Sequence, residues 1–364
     1  MAEPTVVTPE VAEALERGYT LPWRWYVDPE ILRLEQERIF ARSWQYAGRT
    51  DQVARPGDYF TCNAGDVPIV VVRDQAGGLK AFLNVCRHRG SELVSGAGSR
   101  ETLQCRYHAW TYGLDGALRA APRSDREPAF EADELSLYPA RVDTWGPFVF
   151  VNPDPEAGPL ADTLRELPEI VARTGIDLDA LVFHSRVEYE LEANWKIAVE
   201  NFLECYHCPV AHRGFSDVVD VDPDAYTLEA HATFGTQYAP LRANPPSTPY
   251  DPRGEVERGQ FHLLWPNVKL NVMPGRTNLS IGPLLPAGPE RTIGYLDYFF
   301  AEDTDERWVQ EFFGFDNQVG HEDRALVESV QRGVRSGLVE RGRLLMSSEH
   351  LIHGFQQYVL RALS

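Results

Sequence analysis

Cysteine is scarce in this chain, with five in 364 residues. A sparse, odd-numbered set is not a disulfide framework, so a reducing, cytoplasmic compartment is expected. Long apolar runs are missing as well. The best, 69–72 and 148–151, are far too short to span a membrane. The opening MAEPTVVTPEVAEALERG carries acidic residues and no apolar secretory core. Positive charge is in deficit, 35 Lys and Arg against 54 Asp and Glu, a net −19. That balance argues against nucleic acid as a partner, since phosphate binding needs clustered cations. Repeats, low-complexity tracts and a Gly-rich dinucleotide fingerprint after a strand are all lacking. What remains is an ordinary globular composition, long enough for two domains.

Read in order, the chain predicts a helix over 29–44, capped by Asp28 with Pro29 at its first position. Short strands follow at 59–62, 68–72 and 79–83, and one strand at 141–152. Pro153, Pro155, Gly158 and Pro159 mark a linker. Residues 160–173 predict a helix, and 182–192 alternate as a half-exposed strand. Residues 213–260 read as irregular, with a Pro-rich loop at 240–252. Strands are expected at 261–272, 279–285 and 292–300, and helices over 305–333 and from about 348. The class is α+β. Expected domains are an N-terminal helical segment (1–40) packing on the last domain, an all-β domain (41–155) and an antiparallel-sheet-and-helix domain (156–364).

Two stretches carry chemistry. In the first, Cys86-x-His88 is followed, after sixteen intervening residues, by Cys105-x-x-His108. Each loop offers one thiolate and one imidazole. Zinc accepts the same four ligands, but its usual knuckles pair like with like. One Cys and one His per loop suit a Rieske [2Fe–2S] centre, in which one iron takes both sulfurs and the other both nitrogens. The second stretch, 194–212, holds Asn201, Glu204 and His207 at helical i, i+3 spacing, with His212 five residues on. A helix break at Cys208-Pro209 would swing His212 toward His207. Two imidazoles plus a carboxylate from elsewhere make the facial triad of non-haem Fe(II) oxygenases. Cys205 and Cys208 read as packing residues, Cys62 as a small core residue, and the remaining histidines as having no partners by spacing.

With both motifs in this order, CRH…CRYH and NFLECYHCPVAH, the chain resembles the catalytic α subunit of Rieske non-haem iron oxygenases over nearly its whole length. The resemblance implies an all-β Rieske domain and a helix-grip-like catalytic domain. It implies Cys86, His88, Cys105 and His108 as cluster ligands. His207, His212 and Asp323, the last within EDRALVESVQRG, become the iron ligands, with Glu322 and Asp316 as neighbouring carboxylates. Glu204 stands where many members have Asp, and is expected to link the iron site to His108 of a neighbouring chain in a ring of three. Asn201 is expected near the open face of the iron. O2 is the implied co-substrate, and a separate flavin and [2Fe–2S] reductase brings electrons from NAD(P)H. The forms around Glu204 and 322–333 are similar to the branch acting on quaternary ammonium compounds, with an aromatic-ring hydroxylase or O-demethylase as the alternative. From another class, a Rieske electron carrier fused to a zinc or ligand-binding domain would carry the same first motif.

Overall fold

The structure, a computed structural model, describes residues 6–243 and 247–364. The centre of the expected Pro-rich loop, 244–246, lies outside the described residues. Two compact units emerge: Phe40–Asp162, and the chain up to Ile39 joined with Thr163–Ser364. Among the described residues no helix is long and apolar enough to cross a membrane.

In the smaller unit, strand Val67–Arg73 is apolar at successive positions, so both of its faces are buried. Val70 and Val72 face one core, which also holds Cys86 and Cys105, while Ile69 and Val71 face the other. This strand sits within a seven-stranded sheet, and a separate three-stranded sheet is built from Thr102–Gln104, Thr111–Gly113 and Leu118–Ala120. The strand expected at 141–152 is instead a hairpin, Pro139–Trp145 with Phe148–Asn152. Gly146 turns there at φ 53°, and Pro147 has no N–H for the ladder.

The larger unit is a seven-stranded antiparallel sheet. Its order is Leu181–Leu191, Arg291–Ala301, Asn278–Gly288, Val268–Val272, Arg258–Leu264, Phe234–Pro240 and Thr227–Ala230. The strand expected at 261–272 is two strands, because Pro266 ends the ladder between them. Two further strands lie in the stretch read as irregular. Helix 160–173 is split at Arg165 (φ 50°), and the first expected helix stops at Arg38.

A 29-residue helix, Glu306–Val334, is capped by Asp305, whose side chain accepts from the Trp308 amide. Phe312, Phe315, Asp316, Val319, Gly320 and Asp323 recur on one helical face. A shorter helix, Trp195–Phe202, opens at Asn194, which accepts from Lys196 N at 3.0 Å. Glu35, from the N-terminal segment, locks this helix in place. It receives Trp195 Nε1 at 2.8 Å and Lys196 Nζ at 2.6 Å, all three side chains being buried.

Candidate active site

The two Cys–His loops have the same backbone design. Cys86 O accepts from Gly90 N and Cys86 N donates to Ser91 O; Cys105 O accepts from Ala109 N and Cys105 N donates to Trp110 O. The fifth position is left-handed in both, Gly90 at φ 72° and Ala109 at φ 59°. Each turn buries its cysteine and projects its histidine outward. The thiols are free. The His88 amide points at the Cys86 sulfur, and the Tyr107 and His108 amides at the Cys105 sulfur. Tyr112 Oη lies 3.6 Å from Cys86 Sγ. The imidazoles of His88 and His108 meet at 4.6 Å between centroids, and His88 stacks on Trp110 at 4.9 Å. Buried thiols with amide donors, opposite two imidazoles at the rim, fit a [2Fe–2S] cluster held by two Cys and two His.

In the larger unit the helix carrying Asn201 ends at Phe202, earlier than expected. Glu204 then accepts from the amides of Tyr206 and His207, tying the intervening turn. Pro209 begins a new short helix, Cys208–Ala211, rather than ending the old one. Proline suits that place, where an amide would have no helical acceptor. The outcome still brings the histidines together: His207 Nε2 and His212 Nε2 are 3.0 Å apart. Asp323 Oδ1, from the long helix, lies 3.1 Å from His212 Nε2 and 3.5 Å from His207 Nε2. Ligand bonds of about 2.1 Å at right angles place adjacent donors about 3 Å apart, so the trio fits one ion.

Each of these groups is held from behind. Glu204 bonds His207 Nδ1, Glu322 bonds His212 Nδ1 at 2.8 Å, and Asn201 Nδ2 donates to Asp323 Oδ1 at 2.7 Å. Glu322 is thus a partner of a histidine, not a member of the trio. Asp316 stays apart as well, taking the Tyr298 hydroxyl at 2.5 Å. The electrostatics favour a cation. Burial opposes charge on His207, but bonds to Asp323 and Glu204 outweigh it and push its pKa up to about 9. Burial would raise Asp323, yet the two histidines hold it well below the carboxylate range.

Cys205 and Cys208, expected as separate packing residues, are joined as a disulfide in the same turn. They form part of the wall of a cavity of about 150 Å³ that opens beside the trio. One side of it is aromatic, with Phe215, Phe261, Phe312, Phe315 and Tyr226. The sheet adds polar groups beside Phe261, namely Lys269, Asn271 and Ser280. Sequence reading missed these polar groups. The signal was the alternation Val268, Lys269, Leu270, Asn271, Val272, hidden once 261–272 was taken as a single strand.

Residues 43–139 match the Rieske [2Fe-2S] domain, and residues 178–364 match the catalytic domain of the ring hydroxylating alpha subunit. The chain is 36% identical to the carnitine monooxygenase oxygenase subunit of Acinetobacter pittii over 355 residues, 94% of each chain. It is 33% identical to chloroplastic choline monooxygenase of Amaranthus tricolor, over 96% of this chain and 79% of the relative. Among solved structures, a quaternary ammonium Rieske monooxygenase described in terms of carnitine oxidation and inter-subunit electron transfer superposes with a TM-score of 0.83. It is 33% identical and covers 95% of this chain and 96% of that one.

Proposed function

Because the chain belongs to the ring-hydroxylating α-subunit family of Rieske oxygenases, we propose that it oxidises a small quaternary ammonium compound with O2. The carrying observation is the convergence of His207, His212 and Asp323 beside an aromatic-lined cavity. Cys86, His88, Cys105 and His108 hold the [2Fe–2S] cluster, and the convergent trio holds a mononuclear iron. When bound, the cluster supplies electrons one at a time and the iron supplies O2 activation for hydroxylating a C–H bond next to the nitrogen.

The chain's residues set the stage for that chemistry. Glu204 and Glu322 accept the Nδ1 protons of His207 and His212, which leaves both Nε2 lone pairs facing the trio's centre. Asn201 donates to Asp323 and fixes its carboxylate. The aromatic rings exclude water and hold a methylated cation over their faces. Hydroxylation of an N-methyl group ends in formaldehyde and a demethylated amine. Hydroxylation of the neighbouring chain carbon ends in an aldehyde and trimethylamine. One O2, two electrons and two protons yield the hydroxylated product and one water. A separate flavin and [2Fe–2S] reductase supplies the electrons from NAD(P)H. His88 and His108 are exposed in one unit. Tyr206 and Val210, beside Glu204 and His207, are 61% and 92% exposed in the other. Such surfaces suit contact between neighbouring chains of a homotrimer, with Glu204 bridging the cluster of one to the iron of the next.

The test is a single turnover of chemically reduced protein with O2, offered trimethylammonium compounds and small arenes together. Formaldehyde or trimethylamine is expected; a hydroxylated arene in their place overturns the reading. Metal analysis should return about three irons and no zinc per chain.

A further inference from the structure

We propose that the Cys205–Cys208 pair is a thiol–disulfide exchange site that gates the mononuclear iron: as a disulfide it holds both histidines in place, and exchange with a small dithiol releases them. This inference rests on the reading of the trio as an iron site and adds a second redox couple beside it. Cys62, Cys86 and Cys105 are free thiols, so the bridge is the only one among five cysteines. A single bridge closing so short a loop is no framework, and a C-x-x-C pair among free thiols is the pattern of exchange chemistry.

The bridge spans the turn on which the site depends. Cys205 follows Glu204, and Cys208 follows His207. The helix before this turn ends at Phe202, and the one after it, Cys208–Ala211, is a single turn with no stability of its own. Cross-ties therefore set the turn. Besides the bridge they include Glu204, which accepts from the amides of Tyr206 and His207, and Cys208 N, which donates to Cys205 O at 3.2 Å. Ser216 Oγ donates to Cys208 O at 3.2 Å, and His212 N donates to the same oxygen at 2.9 Å. Cys208 is thus tied to both histidines.

The sulfurs are shielded from bulk water but line the cavity beside the trio, and Cys208 Sγ is 4.0 Å from His207 Nε2. The cavity gives a small dithiol a path to the bridge. In the exchange the two dithiol sulfurs join each other and the Cys205–Cys208 bond breaks. Two electrons and two protons pass to the chain, leaving two thiols. Two thiols cannot share a bonding distance, and these cysteines sit in a packed core with Phe215. They move apart, the turn opens, and Glu204 and His207 lose their alignment. Hydrogen peroxide reverses the step: two thiols and one peroxide give the disulfide and two waters.

The test uses the whole chain with its cluster loaded, under argon. Iodoacetamide labelling after denaturation, read by peptide mass, should miss Cys205 and Cys208 at first and find both once the native protein has met dithiothreitol. With the dithiol then removed, ferrous ion should bind about 10- to 100-fold more weakly, the Rieske absorption being unchanged. One equivalent of hydrogen peroxide, added before ferrous ion, should restore both bridge and affinity. A double variant, Cys205→Ala with Cys208→Ala, should bind ferrous ion with one affinity whatever the treatment, which separates exchange at the bridge from removal of iron by residual dithiol. The proposal is overturned if both cysteines label before treatment, or if dithiothreitol leaves the bridge intact in the native protein. It is equally overturned if the reduced form binds ferrous ion as tightly as the oxidised one, or if the double variant responds as wild type does. Each of these leaves the iron reading standing. If ferrous ion binds in neither form, the iron reading has failed and this inference fails with it.

Discussion

Asp323 and Glu322 are adjacent carboxylates on one helix, yet they face different atoms of the same imidazole. Asp323 approaches His212 Nε2, and Glu322 bonds His212 Nδ1. About 100° of helical rotation separates neighbours, which turns Asp323 toward the centre of the trio and Glu322 behind the imidazole. Asp323→Ala should therefore lose the mononuclear iron and keep the Rieske absorption. Glu322→Ala should retain iron but bind it about 10- to 100-fold more weakly. Iron retained after graded chelator treatment distinguishes them; equal loss in both variants would erase the distinction. At this scale the sequence was informative where spacing is short and chemistry is narrow. The six Cys and His positions stand out as motifs. The late carboxylate was assigned to Asp323 through the resemblance alone, because helix phase, not residue type, separates it from Glu322 and Asp316. Lys269 went unnoticed because nothing in a strand of unknown boundaries says which face meets a cavity.

The helix Trp195–Phe202 shows what holds an element that must carry site residues. Its lysine and tryptophan are both bonded to Glu35, with Lys196 also donating to Trp25 O at 3.1 Å. Lys196→Met strands a buried carboxylate and should cost about 3–5 kcal/mol. Glu35→Leu combined with Lys196→Met should recover much of that, since a buried pair contributes little over well-packed apolar groups. Thermal melting of the single and double variants measures both.

The same helix carries a pH dependence. Burial pushes Glu200 up to about 7 from its ordinary 4.5, despite hydrogen bonds from Tyr26 and Gln356 and the charge of Lys196; Glu349 adds to the rise. Between those values the native chain keeps a proton that the unfolded chain has lost. Its contribution is complete below pH 4.5 and falls by roughly 3 kcal/mol as pH rises to about 7. Glu200→Gln should lack this slope, so its melting temperature should gain on wild type as pH is raised. A constant difference across that window would remove Glu200 from the account. Long, strongly patterned elements such as Glu306–Val334 were legible in the sequence to within a residue or so. The hairpins at Gly146-Pro147 and Pro266 were not, because apolar residues run through both turns and mask the break in the ladder.

For the assembled protein, the proposed electron transfer between neighbouring chains makes a sharp prediction. A Cys86→Ser variant lacks the cluster and a His207→Ala variant lacks the mononuclear iron, so each alone should be inactive. Co-assembled at random in a ring, about a quarter of sites should pair a working iron with a neighbour's working cluster. Turnover should return to about that level; none at all would place transfer within one chain. Pro and Gly cluster at 153–159, just before the end of the smaller unit at Asp162. The first 39 residues group with Thr163–Ser364 through packing between stretches far apart in the sequence, such as Glu35 with Trp195 and Lys196.

That division also has a consequence in time. Leu21 N bonds Gln356 Oε1, a partner 335 residues further along. Phe40–Asp162, by contrast, contains all four proposed cluster ligands in one continuous stretch. As the chain leaves the ribosome, this middle stretch can fold and take up iron and sulfide before His207 and His212 have been translated. The opening segment meanwhile has no sheet to rest on, because long-range contacts form last. Every molecule is thus built from the middle outward: cofactor assembly on the cluster comes first, the trio is complete once Glu306–Val334 has been made, and the final helix meets the beginning of the chain last.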